Sequence, residues 1–292
     1  MTVDIIIPTY NRHKILQEAL DSVKAQTCPH WRCWVAEDGE TQKTFEAVRP
    51  FLEDDRFVYL PGKHSGSPAH PRNRAILHGS FDYIAFLDDD DIWLPNKLEC
   101  QLDFMKRHPN CVLLGCNAYR WSGSKKWDSS EPLYFQKKKF FGKIPYDALV
   151  QDNYFITSSV MIQRKVLRQS GLCNENLSPL EIMADDYELW LRIGVLGETW
   201  NIEAPCLVYR ETEPSFYSKL NRKDSYKARV GILDSALKGI AGKISPLLYP
   251  ENKLQAEACR YERDFYLAGP RFLGRFRHEL KLKIRKNFSI LL

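Results

Sequence analysis

The sequence predicts an α/β fold in which helices flank a mixed, mostly parallel β-sheet. Residues 3–7 form a near-continuous β-branched run, which is typical of a strand buried on both faces. Apolar residues at helical spacing follow immediately, and this strand–turn–helix alternation recurs along the chain. A second apolar run, residues 83–87, ends abruptly in four consecutive aspartates, as expected where a buried strand reaches the edge of a sheet.

Each element is predicted from its own pattern. Strands are indicated by short β-branched or aromatic runs at residues 3–7, 31–36, 57–60, 83–87, 112–116, 155–162, 200–202 and 206–209. Helices are indicated by 3.6-residue periodicity at residues 15–23, 41–51 and 184–193, and by prolines that precede helices starting near Arg72 and Asn96. Residues 119–143 carry seven large aromatic residues without periodicity, so they form either a binding loop or a β-hairpin with ordinary packing.

Composition indicates a globular protein of a reducing compartment. The chain has 292 residues and a formal net charge of +5, and its eight cysteines show no metal-binding or disulfide spacing. No signal peptide or membrane-spanning apolar run is visible, so we expect a cytoplasmic protein.

The carboxyl-terminal part has a different character. We expect a first domain over residues 1–215 and a basic helical extension over residues 216–292. Residues 271–286 carry seven basic residues and one acid, interleaved with apolar residues. Residues 271–288 therefore either bind an anionic membrane surface, at the inner face of the membrane, or pack on the first domain with their basic face in water. No nucleic-acid motif accompanies the charge, so nucleic acid is not expected as a partner.

The acidic segment Asp88, Asp89, Asp90 and Asp91 is the strongest candidate site. Four adjacent carboxylates raise each other's pKa, and a hard divalent cation such as Mg²⁺ or Mn²⁺ would relieve the repulsion. The alternative is a solvated acidic turn in which Asp91 caps the next helix.

Other polar residues follow predicted strands in a way that suits a nucleotide diphosphate. Tyr10 can stack on a base, Asp38 can accept a hydrogen bond from a base N–H, and Arg72 can pair with phosphate. Ligands of open α/β sheets bind outside the carboxyl ends of the strands. Separately, Tyr10 could belong to the core, Asp38 to a turn and Arg72 to the surface.

A second acidic pair, Asp185 and Asp186, stands at a predicted helix start. Acids at this position either stabilise the helix dipole or, within reach of a substrate hydroxyl, act as a general base.

Five motifs together resemble the family 2 glycosyltransferases, which have the Rossmann-like GT-A fold. They are Ile5-Ile6-Ile7-Pro8-Thr9-Tyr10-Asn11-Arg12, Glu37-Asp38-Gly39, Arg72-Asn73, Phe86-Leu87-Asp88-Asp89-Asp90-Asp91-Ile92-Trp93 and Asp185-Asp186-Tyr187-Glu188-Leu189-Trp190-Leu191-Arg192. The resemblance covers about residues 3–215. It implies inverting transfer of a sugar from a nucleotide-sugar, usually a UDP-sugar, to a hydroxyl of a glycan or lipid-linked acceptor, in cell-surface polysaccharide synthesis and with Mn²⁺ or Mg²⁺.

The resemblance also implies roles for single residues. The nucleotide-binding set comprises Pro8, Thr9, Tyr10, Arg12, Asp38, Arg72, Asp88 and Asp89. Asp38 would contact the base, Asp90 and Asp88 would serve the metal, and Asp186 would be the catalytic base. Asp185 stands where the family usually has Glu, and Thr212 stands where many relatives have a histidine.

Three other functions stay open. A sugar nucleotidyltransferase would use a similar sheet, but residues 8–12 lack the glycine expected in its loop. A non-catalytic protein that binds sugar nucleotides, or serves as a scaffold, would have the same fold. A two-metal phosphohydrolase would explain the aspartates but not Tyr10 and Asp38.

Overall fold

The structure is a computed structural model that describes residues 1–123, 126–211 and, between 228 and 240, positions 228, 231–233, 235–236 and 238–240. The strands are β1 (Val3–Thr9), β2 (Trp31–Glu37), β3 (Phe57–Leu60), β4 (Tyr83–Phe86), β5 (Ile92–Trp93), β6 (Cys111–Trp121), β7 (Gly142–Ile144), β8 (Met161–Gln163) and β9 (Glu198–Arg210). The α-helices are α1 (His13–Lys24), α2 (Gln42–Val48), α3 (Ala69–His78), α4 (Lys97–Arg107), α5 (Tyr146–Gln151), α6 (Arg164–Ser170) and α7 (Asp185–Gly194).

The described strands form one mixed sheet in the order β3-β2-β1-β4-β8-β6-β9-β5, with β7 paired to β9. Strands β1 to β4 are parallel, as are β6 and β9, whereas β8 runs antiparallel to both β4 and β6. The predicted α/β fold with a mostly parallel sheet is confirmed. The topology brings the carboxyl ends of β1, β2 and β4 to one edge.

Apolar layers cover both faces of the sheet. All seven residues of β1 are buried, with Ile5 and Ile7 packed into one apolar cluster and Ile6 into the other. The first cluster takes Leu16 and Leu20 from α1, together with residues of α4. The second takes residues of α3, α6 and α7. Burial on both faces explains why β1 reads as a continuous apolar run rather than an alternating one.

The structure differs from the sequence prediction around residues 155–162. Only Met161–Gln163 forms a strand, and it follows a 3-10 turn at Thr157–Ser159. Ser159 Oγ donates to the Ile156 carbonyl at 2.6 Å, a local side-chain bond that competes with strand pairing. The two predicted closing strands are one long strand, β9, and β6 extends to Trp121, into the segment predicted to lack a pattern.

The described positions between 228 and 240 are helical, and the compact unit that begins at Met1 ends at Gly239. Ile232 and Ala236 are buried in the second apolar cluster, and Ser235 Oγ donates to Glu188 on α7 at 3.1 Å. In the part of the chain that the structure describes, no helix is long and apolar enough to cross a membrane. Thr212 and the basic segment 271–288 lie outside the described residues, so the domain division and membrane binding stay predictions.

Candidate active site

The acidic segment begins just after β4. Within it, Asp89 is buried and is held by hydrogen bonds from two side chains. Its carboxylate is buried and accepts hydrogen bonds from the Thr9 hydroxyl at 2.6 Å and from Arg12 Nη1 at 3.1 Å. Burial raises the pKa of Asp89 to about 6, although the Thr9 hydrogen bond and the Arg12 charge oppose the shift. Thr9 is buried too, so its side chain holds the acidic segment instead of lining an open pocket.

Asp88 and Asp90 are the two partly exposed carboxylates of the segment. Asp90 Oδ2 pairs with Arg12 Nη1 at 2.6 Å, and Asp88 Oδ1 pairs with Arg72 Nη2 at 2.8 Å. Burial and the neighbouring charge of Asp88 both raise the pKa of Asp90. Arg12 reaches back to the segment because Asn11 adopts φ 55°, a left-handed conformation that asparagine tolerates better than most residues.

Asp91 is a structural residue. It is 1% exposed, burial raises its pKa well above the usual range, and its Oδ1 accepts from the Arg210 backbone N–H at 2.9 Å. The alternative in which Asp91 caps the next helix is wrong, because α4 begins at Lys97 and Asn96 occupies its N-cap position.

The predicted base contacts, Tyr10 and Asp38, are near each other but are already engaged by the loop before α3. The Tyr10 ring is 46% exposed and stacks on His64, with ring centroids 4.2 Å apart and planes 12° apart. Asp38 Oδ2 lies 3.0 Å from His64 Nδ1, and its carboxylate also accepts from the backbone N–H groups of Ser65 and Gly66 at 2.8 and 2.9 Å. Burial tends to raise the pKa of Asp38, but these hydrogen bonds outweigh it and lower the pKa. Pro8 is buried within β1.

Arg72 joins the two acidic clusters. Its guanidinium is 5% exposed and donates through Nη1 to both oxygens of Asp185, at 2.9 and 2.8 Å, and through Nη2 to Asp88. Burial tends to lower the pKa of Arg72, but the charges of Asp185 and Asp88 outweigh it and raise the pKa. Arg72 is therefore paired with one carboxylate of each acidic cluster, Asp185 and Asp88.

Asp186 lies on the exposed side of the second cluster. Its Oδ2 accepts a hydrogen bond from Thr157 Oγ1 at 2.7 Å, and its Oδ1 accepts from the Tyr187 backbone N–H at 2.6 Å. Burial of the carboxyl, with the charge of Asp185, raises the pKa of Asp186 to about 6. A carboxylate with that pKa is largely ionised at neutral pH and is more basic than an ordinary aspartate, which suits a general base.

The turn at Thr157–Ser159 is a part of the candidate site that sequence reasoning missed. Thr157 binds Asp186, and the Ser158 hydroxyl accepts from the Asp88 backbone N–H at 3.0 Å. One turn therefore contacts both acidic clusters. The signal in the sequence was a run of three hydroxyl residues inside an apolar stretch, at 157–159, and we interpreted that stretch as a strand. His64, in a loop without a motif, was also missed.

Asp88 and Asp90 suit a hard divalent cation. Each is a partly exposed carboxylate, and the two charges lie close enough for Asp88 to raise the pKa of Asp90 in addition to the effect of burial, a repulsion that a cation would relieve. Within residues 1–123 and 126–211, no group of three or more His, Cys, Asp or Glu side chains is arranged to hold a metal. Mg²⁺ is commonly held by one or two carboxylates plus substrate phosphates, so two carboxylates are a sufficient protein contribution.

Comparison with known proteins supplies the family. The family described as Glycosyl transferase family 2 matches residues 4–171. The UDP-Glc:alpha-D-GlcNAc-diphosphoundecaprenol beta-1,3-glucosyltransferase WfgD of Escherichia coli is 37% identical over 191 residues, which cover 65% of this chain and 69% of WfgD. An uncharacterized glycosyltransferase of Rickettsia bellii (strain RML369-C) is 41% identical over 193 residues, which cover 66% of this chain but only 26% of the relative.

Solved structures share the fold at low sequence identity. The structure of S. aureus TarS 1–349 in complex with UDP-GlcNAc matches with a TM-score of 0.63 and 16% identity, covering 90% of this chain and 81% of that one. The mannosyltransferase PcManGT of Pyrobaculum calidifontis, in complex with GDP-Man and Mn²⁺, matches with a TM-score of 0.58 and 17% identity, covering 99% of this chain and 79% of that one. These likenesses confirm the predicted GT-A fold, and the family match confirms the resemblance. The chain belongs to glycosyl transferase family 2.

Proposed function

We propose that the chain is an inverting, metal-dependent glycosyltransferase that moves a sugar from a UDP-sugar to a hydroxyl of a glycan or lipid-linked acceptor. The main support for the proposal is the set of side chains that surrounds the Asp186 carboxylate. It is a partly exposed carboxylate with a pKa of about 6, oriented by Thr157, beside an Asp185–Arg72–Asp88 chain of ion pairs. A carboxylate that is basic near neutral pH lies next to strand ends of the kind that bind nucleotides. This arrangement fits sugar transfer better than phosphate hydrolysis.

In the proposed reaction, Asp186 accepts the proton of the acceptor hydroxyl. That oxygen attacks the anomeric carbon from the face opposite the diphosphate and forms the new glycosidic bond. The bond from the anomeric carbon to the diphosphate oxygen breaks, and its electron pair leaves with the nucleoside diphosphate. Attack from the opposite face inverts the anomeric configuration. Asp186 ends protonated and returns its proton to solvent.

Asp185 and Arg72 support this step without touching the reacting atoms. Arg72 compensates the charge of Asp185, so Asp186 sits beside an ion pair and not beside a bare carboxylate. The residual charge of Asp185 still helps raise the pKa of Asp186, whereas Arg72 opposes that rise. Burial is thus the main cause of the raised pKa of Asp186, and the two members of the pair adjust it in opposite directions.

Asp88 and Asp90 would hold Mn²⁺ or Mg²⁺, and Tyr10 and Asp38 would receive the base. When bound, a divalent cation neutralises charge that develops on the departing diphosphate. The nucleobase of a bound donor would take the place of His64 against the Tyr10 ring and beside Asp38. The UDP-sugar donor is suggested by the names of WfgD and of the TarS complex, and the lipid-linked acceptor by that of WfgD.

The test compares the wild-type chain with Asp186→Asn. We expect the wild-type chain to be stabilised against heat by UDP-Glc or UDP-GlcNAc with Mn²⁺ and not by GDP-Man, because a ligand that binds the folded state raises its melting temperature. Asp186→Asn should keep that stabilisation and lose transfer by about a hundredfold or more, since general bases contribute on that scale.

Asp103→Asn is the matched control, because Asp103 is exposed and pairs with Arg107 on the surface of α4. Product anomers are assigned by NMR. Full turnover in Asp186→Asn, or a product that keeps the donor's anomeric configuration, would contradict the proposal. Donor binding without turnover in the wild-type chain would favour the non-catalytic alternative.

A further inference from the structure

The ammonium of Lys97 is a buried charge that the proposed reaction does not use. Lys97 is the first residue of α4, and its side chain is fully buried. Its Nζ donates a hydrogen bond to Gln101 Oε1 at 2.6 Å and lies 4.0 Å from the centroid of the Trp93 ring. Both of these partners are neutral, so neither supplies a counter-charge.

An ammonium between neutral groups in a protein interior is unfavourable, because the charge loses its hydration. Burial accordingly lowers the pKa of Lys97 to about 8, which still leaves the amine mostly protonated at neutral pH. A methionine is similar in length and would fill the same space without this cost. What lysine provides here, and methionine does not, is a group that donates hydrogen bonds and accepts none.

The Lys97 ammonium fixes the orientation of the Gln101 side-chain amide. Because the ammonium only donates, the amide oxygen of Gln101 has to face it. The amide nitrogen then faces the other way and donates to the Ser159 carbonyl at 2.7 Å and to the Leu114 carbonyl at 3.3 Å. Gln101 is fully buried, so a reversed amide would hold its oxygen against two carbonyl oxygens, which is an unfavourable arrangement.

A second route from Lys97 reaches the neighbouring carbonyl of the same turn. The Trp93 ring, which lies against the ammonium, donates from Nε1 to the Ser158 carbonyl at 2.8 Å. Trp93 is buried, and its backbone N–H donates to Ser22 Oγ of α1 at 3.1 Å, which holds it in place. Two successive carbonyls of the turn at Thr157–Ser159 are therefore bound by side chains that Lys97 contacts.

The turn held in this way contacts both acidic clusters. Thr157 Oγ1 donates to Asp186 Oδ2 at 2.7 Å, and Ser158 Oγ accepts from the Asp88 backbone N–H at 3.0 Å. The Thr157 hydroxyl favours the ionised form of Asp186 only while the two oxygen atoms stay within hydrogen-bond distance. A small displacement of the turn would therefore change the basicity of Asp186.

We propose that Lys97 is a positioning residue for the catalytic base. Through Gln101 and Trp93 it holds the turn whose Thr157 hydroxyl binds Asp186. The inference rests on the proposed function, in which Asp186 is the base, and it adds a residue that acts on this base through other side chains. If Lys97 only filled space in the core, a methionine in its place would leave the pKa of Asp186 unchanged.

The test measures the pKa of Asp186 by NMR titration of the full chain with ¹³C-labelled aspartate carboxyl groups and without ligands. Asp186→Asn identifies the signal. Lys97→Met should raise the pKa of Asp186 by about half a unit to one unit, because a hydrogen bond to the ionised form is weakened or lost. Lys106→Met is the matched control and should leave this pKa unchanged, since Lys106 is an exposed lysine of the same helix.

A double-mutant cycle separates an effect through the turn from a direct effect of the Lys97 charge. In Thr157→Val the hydrogen bond to Asp186 is already absent, so adding Lys97→Met should shift the pKa little further. A direct effect of the ammonium would persist in that background. In turnover assays, Lys97→Met should move the acid limb of the pH profile of kcat/KM by the same amount as the pKa.

Gln101→Glu keeps the test decisive if Lys97→Met does not fold. Its carboxylate still accepts from Lys97 but cannot donate to the Ser159 carbonyl, so we expect the same rise in the pKa of Asp186, again absent in the Thr157→Val background. An unchanged pKa in the folded variants, or a rise that persists with Thr157→Val, would overturn the inference. Failure of the proposed function would show differently, as a wild-type chain without donor-dependent stabilisation or turnover, because the NMR titration requires neither.

Discussion

The hydroxyl of Thr157 is a residue-scale feature that adjusts the basicity of Asp186. It donates to Asp186 Oδ2 at 2.7 Å, and this hydrogen bond favours the ionised carboxylate, so it lowers a pKa that burial raises to about 6. A residue that acts on the base in this way positions and tunes it without contacting the substrate.

Thr157→Val keeps the shape of the side chain and removes the hydroxyl. We expect the pKa of Asp186 to rise by about one unit, because a hydrogen bond to a charged group contributes roughly 1.5–3 kcal/mol. Since the base acts in its ionised form, activity on the acid side of the profile should be lost at higher pH than in the wild-type chain. The measurement is the pH dependence of kcat/KM.

Thr157→Ser is the control and should follow the wild-type profile, because the hydroxyl stays in place. An acid limb that does not move in Thr157→Val, with activity reduced equally at pH 6 and pH 8, would mean that Thr157 has only a packing role.

At the scale of elements, the loop between β3 and α3 is the part that a nucleobase would have to displace in the proposed donor site. His64 occupies both predicted base contacts at once: it stacks on Tyr10 and pairs with Asp38. A conformation that already fills a binding site lowers the apparent affinity of the ligand by the fraction of molecules in which the site is free.

His64→Ala should therefore bind UDP about three- to tenfold more tightly than the wild-type chain, because the competing ring is gone. Isothermal calorimetry gives the dissociation constants. His70→Ala is a suitable comparison, since His70 lies in α3 and pairs with Glu175 at 3.3 Å. Weaker UDP binding in His64→Ala would mean that His64 contacts the base instead of competing with it.

The same scale shows what sequence patterns can and cannot predict. Strand β1 was predictable because burial on both faces imposes a continuous apolar run. Helix α1 was predictable because burial on one face imposes apolar residues at helical spacing. The start of α7 at Asp185 was predictable for a similar reason. The turn at Thr157–Ser159 was not, since its hydroxyl groups bond to partners far away in sequence, such as Asp186 and Asp88. The residue pattern within a short stretch of sequence does not identify partners that are distant along the chain.

Residue contacts in the candidate site show the same limit. The acidic segment, Tyr10, Asp38 and Asp186 could be named as candidates from the sequence because each follows a strand or starts a helix. That Arg72 would bind Asp185, 113 positions away, could not be predicted from either residue's neighbours.

At the scale of the whole molecule, the first compact unit reaches beyond the predicted boundary at residue 215. It ends at Gly239, and Ala228, Ile232 and Ala236 are fully or almost fully buried. Ser235 adds polar contacts, since it accepts from Asn174 Nδ2 at 2.8 Å and donates to Glu188. Glu188 in turn pairs with Arg192, which donates to the carbonyls of residues 170–172.

A chain that ends at residue 215 should consequently be less stable than one that ends at residue 240. Burying one isoleucine contributes about 1.5–3 kcal/mol, so we expect the free energy of unfolding to fall by about 2 kcal/mol or more. Urea unfolding of both truncated chains measures the difference, and Ile232→Ser in the full chain should reproduce part of it. Equal stability of the two truncated chains would instead support residue 215, the predicted boundary, as the end of the first domain.

The ion pairs of Arg72 also have a thermodynamic consequence for the order of events. A donor that draws Asp88 away from Arg72 leaves more of the guanidinium charge to act on Asp185 and Asp186, which lowers the pKa of the base. Linkage is reciprocal: if donor binding favours loss of the proton from Asp186, then loss of that proton favours donor binding by the same factor. On the proposed mechanism, an ionised Asp186 therefore strengthens donor binding, and the catalytic base would be ready before the acceptor arrives.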